Sequence, residues 1–132
     1  MMNNESNIEE IIQRIVAKRG YLYPWQQYMS EHDPDFLARY EELWDMIGSR
    51  ATYIDAKTKQ LILVGVVSSR LDDIALKTQI GRAFRMGINA DEILETLQVA
   101  YLPSGALTLV HGVKILMDVI AEHEEKDLIS KA

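Results

Sequence analysis

The sequence predicts an all-α fold, a single-domain helical bundle of about six or seven helices. Two observations predict it. Apolar residues recur at helical spacing in successive segments, and each segment is bounded by a capping residue or a glycine stop. Only three prolines interrupt the chain, at positions 24, 34 and 103.

The elements follow in order. Ser6 and Glu9 fit a capping box for a helix carrying Ile8, Ile11, Ile12, Ile15 and Val16, with Gly20 as its stop. Tyr21 to Trp25 form an aromatic turn, and Pro24 can open a short helix. Asp33 then caps a helix with Pro34 at its first position. Its apolar stripe is Phe36, Leu37, Tyr40, Leu43, Trp44 and Ile47, and Gly48 ends it.

Asp55 can cap the next helix, whose run from Leu61 to Val67 is apolar nearly all round. A strand is the rival reading of so short a β-branched run. Helix is preferred because Ala56 to Gln60 are good helix formers without strand alternation. Asp72 caps a segment running to Met86, with Gly87 as its stop. Asn89 and Glu92 pair at the start of Ile93 to Tyr101, and Pro103 breaks the chain. Ser104 can cap a long last helix to about Glu124, followed by a charged, fraying tail.

The chain has 132 residues, 48% hydrophobic and 26% charged, which is the size and composition of one globular domain spanning 1–132. A net charge of −6 argues against non-specific nucleic-acid or anionic-membrane binding. The polar N-terminus lacks a secretory core, and Leu61 to Val67 is too short to span a bilayer. A cytoplasmic location is expected. With no cysteine, the chain's own disulfides, zinc–thiolate sites and thiol nucleophiles are excluded. A helix apolar on every side is hard to cover within one small chain, so a homo-oligomer is expected.

Acid–base chemistry without cysteine points to histidine. His32 lies in a helix-start loop and His123 in a charge run, and both read as surface residues. His111 falls opposite the stripe Leu109, Val113, Leu116 and Ile120 on the helical wheel. It is either an exposed residue on a polar face or a residue lining a pocket or subunit interface. Asp72, Ala75 and Gln79 share one flank of their helix at the edge of its apolar face. Capping explains Asp72, whereas Gln79 has no such role. Arg70, Lys77, Arg82 and Arg85 give the region a positive character suited to solvent or to a carboxylate ligand. No metal-ligand spacing, Gly-rich phosphate loop or nucleophile elbow occurs, so no metal or cofactor is expected.

Three segments together resemble the carboxymuconolactone decarboxylase family, whose superfamily includes the alkylhydroperoxidase D proteins. They are Asp55-Ala-Lys-Thr-Lys-Gln-Leu-Ile-Leu, then Gly81-Arg-Ala-Phe-Arg-Met-Gly-Ile-Asn-Ala-Asp-Glu-Ile, then Val110-His-Gly. The likeness covers Asp55 to Ala121. It implies an alkylhydroperoxidase D-like, all-α homo-oligomer, commonly a trimer or hexamer.

Redox members of that superfamily use a Glu, a Cys-x-x-Cys pair and a His. The resemblance puts Gln60 at the Glu position, Asp72 and Ala75 at the cysteines, and Gln79 at the His. A thiol peroxidase is therefore excluded. Glutamine donates and accepts hydrogen bonds but transfers no proton near neutral pH. Gln60, Gln79 and Asp72 are accordingly expected to bind and orient a small anionic metabolite, with His111 as acid or base. The expected function is decarboxylase-like (lyase) acid–base chemistry on a lactone or aromatic-derived carboxylate. The alternative is a non-catalytic homo-oligomer that binds a small molecule or a protein.

Overall fold

Seven α-helices make up the regular structure in the computed structural model, and no strand occurs among the described residues. It describes the backbone of residues 4–131 and the side chains of 8–18 and 20–126. The helices are α1 (Asn4–Arg19), α2 (Pro24–His32), α3 (Pro34–Ser49), α4 (Ala56–Ser68), α5 (Asp73–Arg85), α6 (Ala90–Ser104) and α7 (Ala106–Lys131). The apolar run Leu61 to Val67 is helical, within α4.

Local chemistry sets most boundaries where expected. The Asp33 carboxylate accepts from Phe36 N at 3.2 Å, opening α3 behind Pro34. The Asp72 carboxylate accepts from Ala75 N at 3.1 Å, opening α5. Asn89 and Glu92 exchange two bonds of 2.9 Å, a complete capping box for α6. Gly87 follows α5 at φ +84°, a conformation that glycine adopts without a Cβ clash.

Four boundaries differ from expectation, besides α3, which passes Gly48 to end at Ser49. Helix α1 already runs from Asn4, ahead of Ser6, whose side chain lies outside the described residues. Pro103 does not break the chain but sits inside α6, in its last turn. There a proline forfeits a single backbone bond, and the stop passes to Gly105 at φ +95°, whose N–H reaches Tyr101 O at 2.8 Å. Ser104 is thus the last residue of α6 rather than the cap of α7. Helix α7 continues past Glu124 to Lys131, through the stretch expected to fray.

The chain divides into two compact units, Met1–Ala56 and Lys57–Ala132, where one domain is expected from its size. The first packs Ile11, Ile15 and Leu37 around a small core flanked by Leu22, Met29, Ala38 and Tyr40. Of the α3 stripe only Leu37 is fully buried, while Phe36, Leu43 and Ile47 remain exposed. The second unit has the larger core. Val64 of α4, Leu76, Ile80 and Ala83 of α5, Ile93 and Leu97 of α6, and Ile115, Leu116 and Val119 of α7 meet there, with Ile88 from the α5–α6 turn. Every residue named as a site candidate lies in this second unit.

Candidate functional site

Gln60 is the last polar residue before the apolar run of α4, and Gln79 is the central residue of α5. Both are buried, at 2% and 8% exposure. The Gln60 Nε2 group donates to the backbone O and to the Oε1 of Gln79, each at 2.9 Å. The two positions are therefore in direct contact, and the pair bridges α4 to α5 inside the unit. A buried amide left without a partner costs about 1–3 kcal/mol, which is why polar residues at such sites meet one another. Neither amide titrates, so the pair holds and orients but moves no proton.

Asp72 stands apart from this pair. Its carboxylate is exposed and occupied by the Ala75 N–H, the capping role that its position suggests.

His111 is neither fully exposed nor opposite the core. The buried residues of α7 are Thr108, Gly112, Ile115, Leu116 and Val119, so the buried stripe runs along the flank of His111. The wheel misplaces it because Leu109, Val113 and Ile120 only flank the core, half-buried, while the non-apolar Thr108 and Gly112 mark part of the buried side. The His111 ring reaches Asp73, the first residue of α5, with Nε2 against Oδ1. The side chains are 26% and 63% exposed. Nε2 itself is buried and makes no hydrogen bond, so its contact with Asp73 is one of proximity rather than an aligned hydrogen bond.

A second ion pair joins the same two helices. Lys77 meets Glu122, and the ammonium pKa is raised above its ordinary value by that hydrogen bond, helped by the charges of Glu122 and Asp118. Phe84 and His123 stack edge-on at 5.1 Å, so His123 is half-buried rather than a free surface residue. Asp73, Lys77 and Phe84 fall on one side of α5, the side that meets α7. Gln79 lies on another side, about 9 Å along the axis from Asp73 at ~1.5 Å per residue. α5 thus separates a non-titrating amide pair towards α4 from a histidine–carboxylate pair towards α7.

Asp73 is the residue that the sequence does not disclose. It adjoins a textually similar Asp72, and one of the two is needed as a cap. Only the packing of α7 shows which carboxylate remains for His111. Among the described residues no cluster of three or more His, Cys, Asp or Glu could hold a metal ion. None of the helices is long and apolar enough to cross a membrane, over the same residues.

A groove of about 610 Å³ runs between α4 and α6. Leu61, Ile62, Gly65 and Val66 line it from α4, and Thr96, Val99, Ala100 and Leu102 from α6. Neither Gln60, Gln79 nor His111 lines it. This concavity is on a different side of α4 from the amide pair.

No family model matches the chain. The chain is 35% identical over 89 residues to MJ0742 of Methanocaldococcus jannaschii, an uncharacterized protein, covering 67% of this chain and 85% of that one. The chain belongs to the family of MJ0742. It is also 28% identical over 69 residues to MJ1511 of the same organism, likewise uncharacterized, covering 52% of this chain and 64% of MJ1511. This MJ0742-family chain is similar in structure to a protein from Burkholderia xenovorans LB400, crystallised as a candidate carboxymuconolactone decarboxylase. The TM-score is 0.78 over 98% of this chain and 99% of that one, at 18% identity. The carboxymuconolactone decarboxylase-like fold therefore extends over both compact units, beyond the stretch Asp55 to Ala121 that carries the motif likeness.

Proposed function

We propose that the chain carries out cysteine-independent acid–base chemistry of the lactone-decarboxylase kind. The substrate class is a small anionic lactone or an aromatic-derived carboxylate, as the motif resemblance implies, and the fold neighbour's description as a carboxymuconolactone decarboxylase supports it. The single observation that supports this reading is the partly buried His111 ring against the Asp73 carboxylate. A histidine held by a carboxylate is the ordinary means of moving a proton near neutral pH. In this reading His111 is the acid or base. The Gln60–Gln79 pair braces α4 against α5. Asp72 fixes where α5 begins, and so where Asp73 stands.

The test is a thermal-shift screen against lactones, muconate-like diacids and phenolic acids, with product analysis of each stabilising compound. Conversion is expected, and His111→Ala should reduce turnover by about 10²–10⁴-fold, the usual worth of a positioned acid or base. Unchanged turnover in that variant removes His111 from the mechanism. Stabilisation without conversion makes the chain a binding protein instead.

The same reading includes a homo-oligomer, a trimer or hexamer as in the resembling family. Its support is the apolar groove wall: Ile62 and Val66 are 50% and 51% exposed although they belong to the most hydrophobic helix segment.

A further inference from the structure

Gly65 is a glycine that the packing of its own helix does not ask for. It lies inside α4, where the two walls of the α4–α6 groove meet. A Cβ there would stand 3.6 Å from Thr96 Cγ2 and 3.9 Å from Ala100 Cβ, both ordinary contacts. Alanine would therefore fit, and a helix interior favours alanine over glycine. Neither a tight helix crossing nor the backbone conformation explains the bare position. What a Cβ would do is raise the floor of the groove.

The groove is also closed to charge. None of its lining residues is ionisable. Two of its hydroxyls are turned to their own helices: Ser69 Oγ donates to Val66 O at 2.6 Å, and Thr96 Oγ1 to Glu92 O at 2.8 Å. Thr96 thereby presents its methyl group towards Gly65. The volume of about 610 Å³ is that of a small-molecule site, and such sites are mostly apolar. An anion placed here would lose its hydration and meet no cation, in a chain of net charge −6. Apolar surface has the opposite balance, because Ile62, Val66, Val99 and Leu102 are at least half-exposed and gain from being covered.

We propose that this groove binds an uncharged apolar molecule, an alkyl chain or an aromatic ring system, seated on Gly65 and Thr96. The site is separate from the glutamine pair and from His111, and its ligand differs in charge from the anionic substrate proposed above. A second copy touching the outer tips of Ile62 and Val66 would cap the groove and leave its floor to the ligand.

Titration with N-phenyl-1-naphthylamine, a neutral probe that fluoresces in apolar surroundings, tests the site. The unaltered chain should bind one probe per chain, and 1-decanol should displace it at a concentration about tenfold or more below that needed for decanoate. Gly65→Leu fills the floor and should weaken the probe by about tenfold or more. Gly65→Ala should weaken it to a smaller degree, and it serves where leucine disturbs the fold. Met117→Ser, on an exposed part of α7 outside the groove, should leave the affinity unchanged. Absence of saturable binding, or the same affinity in the Gly65 variants as in the unaltered chain, overturns the proposal. Decanoate competing as well as 1-decanol overturns the ligand class. Probe binding that appears only in Ile62→Lys would mean that a second copy fills the groove, and overturns it too.

Discussion

Gly112 controls how closely α7 approaches α6, and His111 is its neighbour in the chain. A Cβ at Gly112 would lie 2.8 Å from Leu97 Cδ2 and 3.3 Å from its Cδ1. Leu97 is fully buried, so its side chain has little room to retreat. Gly112→Ala gains about 1 kcal/mol of helix propensity but incurs about 1–3 kcal/mol of overpacking. The expected net is a loss of ~1 kcal/mol in chemical denaturation. Gly65 is the control, because a Cβ there meets Thr96 Cγ2 at 3.6 Å, an ordinary contact. Gly65→Ala should therefore stabilise by about 0.5–1 kcal/mol. Equal shifts in the two variants would mean that close approach at Gly112 is not what seats α7.

At the scale of elements, α5 carries the arrangement. It is tied to α4 by the buried amide pair and to α7 by two ion pairs and the Phe84–His123 contact. The Lys77–Glu122 pair has a defined pH signature. A lysine whose pKa is higher folded than unfolded stabilises the fold below its unfolded value, and that contribution is lost as pH rises through the folded value. Lys77 is shifted upward, so its contribution is complete at neutral pH and disappears only in strong alkali. Both side chains are nearly half-exposed, and screening by solvent keeps the pair below about 1 kcal/mol. Lys77→Met should accordingly cost less than ~1 kcal/mol at pH 7 and low salt, with the difference closing in high salt or strong alkali. A cost that persists in both conditions would assign the loss to packing of the lysine stem.

At the scale of the molecule, the notable surface is the groove between α4 and α6. None of its lining residues is charged, in a chain of net charge −6. Copies of an acidic chain repel one another unless they meet through uncharged ground, and apolar side chains there gain from leaving water. If the proposed oligomer uses this wall, Ile62→Lys should lower the mass measured by light scattering towards that of one chain. The fold itself should survive, because position 62 is half-exposed. A monomer in the unaltered chain at every concentration would remove the oligomer from the proposal, and an unchanged oligomer in Ile62→Lys would place its contact elsewhere.

The amino-acid order alone determined the helical class and most helix starts. A cap such as Asn89 with Glu92, or Asp33 ahead of Pro34, completes its chemistry within one turn of chain. It also showed that the chain brings no cysteine of its own, and it singled out Gln60, Gln79 and His111 as site candidates. Only the tertiary structure decided that the two glutamines bond each other, that Asp72 is occupied as a cap, and that Asp73 faces His111. The physical reason is the direction of side chains around a helix. In α7, apolar residues occupy both buried and exposed sides, so periodicity does not fix its rotation. The contacts at Gly112 and Asp73 do, and they come from distant segments of the chain that meet only on folding.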